Sequence, residues 1–157
     1  MPTFKNIKAM EDYIMDGLYK TVESGRNKVY QVIHLALKKF YGEYTPQFFK
    51  RTEQVLNSLV VSDVVSTGNG YKAEIYFNLG ALNHPDIFTY TKNGKEYKMD
   101  GSWDEDRILN SVMLSGTHGG LKNVEGTAVW TESMKILDSA FISFLKKELI
   151  ANGIPVK

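Results

Sequence analysis

The chain has 157 residues, of which 43% are hydrophobic and 24% charged, a composition that suits one soluble domain with its own core and excludes a collagen-like fibre or wholesale disorder. Nineteen basic residues against eighteen acidic ones leave a net charge of +1, without the basic excess of a protein held mainly by nucleic-acid phosphates. Cysteine is absent, which removes disulfides and thiolate chemistry. No stretch approaches the roughly 18 uninterrupted apolar residues of a membrane span, and Met1–Lys8 lacks the basic-then-apolar order of a signal peptide.

The first forty residues read as helix. Ile7, Ile14, Leu18, Val22, Val29, Ile33, Ala36 and Phe40 recur at steps of three, four or seven, which keeps them on one helical face. The phase survives Ser24-Gly25, so one continuous or mildly kinked helix from Phe4 to Tyr41 is the first expectation. Two helices are the alternative, because Gly17 and Gly25 each cost about 1 kcal/mol against alanine. A continuous helix would be roughly 55 Å long, so part of its apolar stripe would need another subunit or another protein to cover it.

Thr45-Pro46 signals a second helix, with threonine as N-cap and proline at the first helical position. Phe48, Phe49, Val55, Leu56 and Leu59 would line its apolar side. Leu59–Ser66 is rich in valine, and Tyr71, Ala73, Ile75 and Phe77 alternate with other residues. With Thr67-Gly68-Asn69-Gly70 between them, and Asn-Gly favouring positive φ, these segments predict a β-hairpin.

Ile87–Met99 predicts a second hairpin around a type I′ turn at Asn93-Gly94. That register sets Tyr90 opposite Tyr97 and Phe88 opposite Met99, all on one face. This arm either packs on another molecule or folds back on its own sheet, since a lone two-stranded hairpin is marginal in water. Ser102–Glu105 reads as a capping box, opening a helix that carries Ile108, Leu109 and Val112 and stops at Gly116. Thr117–Gly126 reads as loop, and Glu125–Trp130 as a strand. The last helix starts near Thr131, buries Leu137, Phe141, Phe144 and Leu149, and ends at Gly153 and Pro155. The fold class is α+β: a long N-terminal helix, a central antiparallel sheet built from hairpins, and a C-terminal helix packed on the sheet. The chain reads as one domain, residues 1–157, divided into helix (1–44), short helices and hairpins (45–130) and final helix (131–152).

Candidate chemistry is thin. His34, His84 and His118 include no pair at metal-ligand spacing, and turn formation accounts for Pro85-Asp86 beside His84. Asp104-Glu105-Asp106 complements a helix dipole more simply than it binds a cation. Ser115-Gly116-Thr117-His118-Gly119-Gly120 holds a hydroxyl, a histidine and glycines. It lacks the strand–turn–helix setting of a nucleophile elbow and the lysine of a phosphate loop. No catalytic residue, metal site or cofactor is assigned. Phe40, Tyr41, Tyr44, Phe48 and Phe49, interleaved with Lys38, Lys39, Lys50 and Arg51, form either a hydrophobic joint between helices or a base-stacking surface.

The run Phe40-Tyr41-Gly42-Glu43-Tyr44-Thr45-Pro46-Gln47-Phe48-Phe49-Lys50-Arg51-Thr52, followed by Leu56, Asn57, Ser58 and Leu59, resembles the signature of the small neck and tail-component proteins of long-tailed bacteriophages. His118-Gly119-Gly120 is similar to a His-Gly element seen in many of them. The family often has tyrosine where Phe49 stands and glycine where Glu53 stands. Glutamate at 53 removes a flexible point and favours continuing the Pro46 helix. The resemblance implies a ring-forming head–tail joining or tail-completion protein with no enzyme activity and no cofactor. It implies a place in the virion, with assembly in the bacterial cytoplasm. The implied partners are copies of itself, the portal and the tail tube or its terminator, with no membrane and no specific nucleic acid among them. On this reading Tyr41, Tyr44, Pro46, Phe49, Arg51, Thr52, His118 and Gly119 serve folding and assembly, and Phe88, Tyr90, Tyr97 and Met99 form a contact hairpin. The alternative is a nucleic-acid-binding module that uses the Lys38–Arg51 cluster.

Overall fold

The computed structural model describes residues 2–43, 53–82, 87–100, 109–115 and 128–156. The fold is α+β, with long helices near both ends and short paired strands between them. Helix α1 spans Ile7–Gly42 without a break and is therefore about 54 Å long. Asn6 caps it: its side-chain oxygen accepts the Ala9 N–H at 2.8 Å, the usual third-residue capping bond. Helix α2 covers Gln54–Ser58. Strands β1 (Leu59–Val61), β2 (Val65–Ser66), β3 (Tyr71–Lys72) and β4 (Ile75–Phe77) follow, then a 3-10 turn at Leu79–Ala81. Strands β5 (Ile87–Lys92) and β6 (Lys95–Asp100), a π turn at Ser111–Ser115 and helix α3 (Val129–Ala151) complete the order. Among the described residues the strands pair as three two-stranded sheets, β1 with β4, β2 with β3 and β5 with β6.

The chain divides into two compact units. The first holds residues 1–32, 61–75 and 135–157. In it α3 packs on α1 through small residues. A Cβ built on Gly25 would lie 2.9 Å from Leu145 Cδ2 and 3.6 Å from Phe141 Cζ, and one on Gly17 would lie 2.9 Å from the Asn152 carbonyl oxygen. Thr21 sits between the two glycines, buried; its hydroxyl donates to the Gly17 carbonyl at 2.8 Å and accepts from Asn152 Nδ2 at 3.2 Å. The row Gly17, Thr21, Gly25 therefore forms the buried face here. Leu18 and Val22 are half-buried, and Ile7 and Ile14 are exposed. The expected apolar stripe is displaced by one residue, because backbone proximity at glycine does what bulky side chains were expected to do.

Helix α3 ends as the sequence predicts, at Gly153. The Ile154 N–H donates to the Leu149 carbonyl at 2.8 Å and the Gly153 N–H to the Ile150 carbonyl at 3.0 Å, with Gly153 at φ 81°. This is a Schellman cap. Leu137, Phe141, Phe144 and Leu149 are all half-buried.

The first hairpin contains a bulge within this unit. The Ser62 N–H donates to the Glu74 carbonyl at 2.9 Å, yet Val65 pairs with Lys72 and Ser66 with Tyr71. From Ser62 to Val65 the first strand advances one residue more than the second does from Glu74 to Lys72, so Asp63-Val64 carries an extra residue. The Glu74 N–H binds the Ser62 hydroxyl at 2.8 Å, and the Ser62 carbonyl accepts from Arg26 Nη1 of α1 at 2.9 Å. The predicted alternation holds on the return strand: Tyr71, Ala73, Ile75 and Phe77 are half-buried and Lys72, Glu74 and Tyr76 exposed. At the turn the positive φ falls on Gly68 (89°), the first central residue as in a II′ turn, and not on Asn69.

The second unit holds residues 33–60 and 76–134 and most of the buried apolar side chains. Ile33, Ala36, Leu37 and Phe40 of α1 are buried, as are Val55, Leu59, Leu82, Val112, Met113 and Val129. The C-terminal part of the α1 stripe thus matches the expectation from spacing. Two sequence expectations fail in this unit. Val129 and Trp130 belong to α3 and not to a strand, so the helix starts before Thr131. Glu53 does not continue a helix: it lies at φ 53°, ψ 32°, left-handed, immediately before α2. A side chain in that region costs roughly 1–2 kcal/mol against glycine. The expected Pro46 helix, the Ser102 capping box, the Gly116 stop and the Thr117–Gly126 loop lie outside the described residues.

Candidate functional site

The β5–β6 hairpin matches its predicted register residue for residue: Phe88 pairs with Met99, Tyr90 with Tyr97 and Lys92 with Lys95. Asn93 (φ 53°) and Gly94 (φ 73°) both take positive φ, as a type I′ turn demands. Residues 93–98 are all exposed, Tyr97 at 42%. Among the described residues β5 and β6 pair only with each other.

Of the family-motif residues, Tyr41 stands in the last turn of α1, half-buried, its ring edge-on to Phe40 with centroids 5.3 Å apart. Tyr44, Pro46, Phe49, Arg51, Thr52, His118 and Gly119 lie outside the described residues. The end of the motif is a tight corner. Ser58 is fully buried; its hydroxyl donates to the Val55 carbonyl at 2.9 Å, and its carbonyl accepts the Asn78 N–H at 2.8 Å. These bonds turn α2 directly into β1, with Leu59 buried at the junction.

Of the basic cluster, Lys38 is exposed and Lys39 faces Glu132 at 3.0 Å, a half-exposed pair that contributes little stability but occupies one of the cations offered to nucleic acid. His34 is half-buried within α1, and Ser115, at the end of the π turn, is exposed. Lys20 is held above its ordinary lysine range by the hydrogen bond and charge of Asp16, one turn back at 2.6 Å; both groups are on the surface. Among the described residues no three His, Asp or Glu side chains are grouped to hold a metal ion, and no helix is long and apolar enough to cross a membrane.

Sequence reasoning missed three features. The Gly17–Thr21–Gly25 seam is signalled only by small residues four apart. Arg26 is largely buried and ties α1 to Ser62, with no local motif to announce it. On β6, Glu96 and Lys98 carry opposite charges two residues apart, on the same side of the strand. No protein-family model matches the chain, and no curated protein or solved structure matches it either.

Proposed function

We propose that this chain is a structural virion protein of a long-tailed phage or a phage-tail-like particle, acting as a head–tail joining or tail-completion adaptor and working as a ring. The observation that carries this reading is the run from Phe40 to Thr52 with Leu56–Leu59 behind it, which resembles the signature of such proteins. Two physical features support it. The β5–β6 hairpin pairs with no other strand among the described residues and its tip is exposed, which suits an arm that completes a neighbour. The start of α1 leaves Ile7 72% exposed and Met10 and Ile14 more than one-third exposed, apolar area that a virion neighbour would cover. A ring subunit needs two different surfaces that meet head to tail, and these are the two. The partners are the portal, the tail tube or terminator, and further copies of the chain.

Mass spectrometry of purified particles tests the reading. The protein is expected at a fixed, multiple copy number per particle. Its absence from intact particles, or a gene neighbourhood without portal, capsid or tail genes, would overturn it. Tight, salt-sensitive binding of the free protein to single-stranded DNA would favour the nucleic-acid alternative instead.

A further inference from the structure

We infer that Asn69 is a site of self-modification: it loses ammonia by reaction with the backbone nitrogen of Gly70 and becomes isoaspartate or aspartate. The inference rests on the β2–β3 turn alone and holds whether or not the protein works in a virion. That turn lies inside the continuous described run 53–82, and Asn69 is exposed in it. In the reaction the Gly70 nitrogen gives up its proton and attacks Asn69 Cγ. The new N–Cγ bond closes a five-membered succinimide ring as the Cγ–Nδ2 bond breaks, and Nδ2 leaves as ammonia with that proton. Water then opens the ring. Opening at the side-chain carbonyl gives aspartate; opening at the backbone carbonyl gives isoaspartate, with the chain rerouted through Cγ. One water is consumed and one ammonia released. Glycine after asparagine favours the attack, because no Cβ shields its nitrogen. Ring closure also needs rotation about the asparagine Cα–C bond, so the fold decides which asparagine reacts.

The sequence holds three Asn-Gly pairs, at Asn69, Asn93 and Asn152, and the fold holds each differently. At the end of α3 both reacting groups are engaged: Asn152 Nδ2 donates to Thr21 Oγ1 at 3.2 Å, and the Gly153 N–H donates to the Ile150 carbonyl at 3.0 Å. At Asn93 the type I′ turn fixes positive φ on both residues and is closed by the Lys92–Lys95 pair, so rotation about the Asn93 Cα–C bond must break the turn. The turn at Asn69 is looser. A closed turn of this kind bonds the last N–H, here that of Gly70, to the Thr67 carbonyl. Instead the Thr67 N–H donates to the Gly70 carbonyl at 3.0 Å and the Gly68 N–H to the Ser66 hydroxyl at 3.4 Å. Among the described residues neither the Gly70 nitrogen nor the Asn69 side chain has a hydrogen-bond partner. Nucleophile and leaving group are thus both unrestrained at this pair alone. The new carboxylate takes the formal net charge from +1 to zero. Isoaspartate also adds a backbone carbon between Ser66 and Tyr71, the pair that joins β2 to β3. Tyr71 packs edge-on against Tyr19 of α1, ring centroids 5.4 Å apart, so the change falls beside a contact between hairpin and helix.

Peptide mapping of the aged full chain tests this. Purified protein is held at mildly alkaline pH in heavy-oxygen water, which marks conversion during ageing, and is then digested. Mass spectrometry with electron-transfer fragmentation separates isoaspartate from aspartate at each position. The same chain in urea supplies the unfolded rate of each pair. Asn69 is expected to convert in the folded chain at close to its unfolded rate. Asn152 should be slowed by about tenfold or more, because it reacts only after local opening, and Asn93 should fall between the two. Gly70→Ala is the second arm. A Cβ at Gly70 meets nothing within 4 Å among the described residues and the position does not have positive φ, so the variant should fold, as circular dichroism checks. It should slow conversion of Asn69 by about tenfold or more by shielding the nitrogen, and leave Asn93 unchanged. Asn69 protected by folding as strongly as Asn152, Asn93 converting faster than Asn69, or a Gly70→Ala variant that converts Asn69 at the wild-type rate would each overturn the inference.

Discussion

Replacing Gly17 with alanine sets two effects against each other. The position is inside α1, where alanine is better than glycine by about 1 kcal/mol. The new Cβ would lie 2.9 Å from the Asn152 carbonyl oxygen, 3.0 Å from Ile154 Cδ1 and 3.1 Å from Ile154 Cγ1. The nearest atom belongs to the backbone at the end of α3, which cannot swing aside as a side-chain tip can. Overpacking of this kind costs about 1–3 kcal/mol. The shift also pulls Asn152 Nδ2 from Thr21 Oγ1, which starts at 3.2 Å, a loss of about 0.5–1.5 kcal/mol. The balance is a net destabilisation of about 1–2 kcal/mol, or roughly 3–6 °C in Tm for a chain of this size. Gly42 is the internal control: it lies in the same helix and a Cβ there meets nothing within 4 Å among the described residues. Gly42→Ala should leave Tm unchanged or raise it slightly. Thermal unfolding followed by far-UV circular dichroism measures both. A Tm that rises for Gly17→Ala as it does for Gly42→Ala would refute the close approach of α1 and the C-terminal cap.

Gly153→Ala should cost about 2 kcal/mol, from the left-handed φ and from overlap of the new Cβ with the Tyr13 hydroxyl; in a Tyr13→Ala background the cost should fall toward the backbone part alone, as read by urea unfolding. Glu53→Gly should raise the unfolding free energy measured in urea by about 0.5–1 kcal/mol, because relief at φ 53° outweighs the added freedom of the unfolded chain. Arg26→Ala should destabilise by about 2 kcal/mol through the charged hydrogen bond to the Ser62 carbonyl. Arg26→Lys should recover less than half of that, since lysine lacks the fork that also reaches Asn27.

How much of this was legible in the chain depends on where each element stores its information. Asn93-Gly94 carries its own turn, and the register of β5 against β6 followed from those two residues. Gly153 likewise marks the end of α3, because few other residues accept its φ. The first hairpin was legible as a hairpin, and the alternation from Tyr71 to Phe77 predicted its buried face. Its bulge was not, because it depends on the Ser62 hydroxyl standing in for a carbonyl while Arg26 takes that carbonyl, a contact spanning more than thirty residues. In α1 the apolar count found Ile33, Ala36 and Phe40 but misjudged the first half of the helix. Glycine scores as a cost in such a count and gains its value only from the helix laid against it. Val129-Trp130 has strand-like composition, but Val129 is buried as the first residue of α3. Glu53 shows the opposite case: glutamate favours helix locally, and the chain path still imposes a left-handed corner. Of the candidate assembly residues, the hairpin was legible in register and Tyr41 in its place at the end of α1.

We propose that this chain works by covering surfaces of itself and of virion neighbours. Electron microscopy of native particles, with this subunit tagged at its C-terminus and labelled with gold, tests that claim most directly. The account predicts gold clustered at one axial position, at the neck or the tail end, on every intact particle. Label scattered through the lysate with none on particles would contradict it.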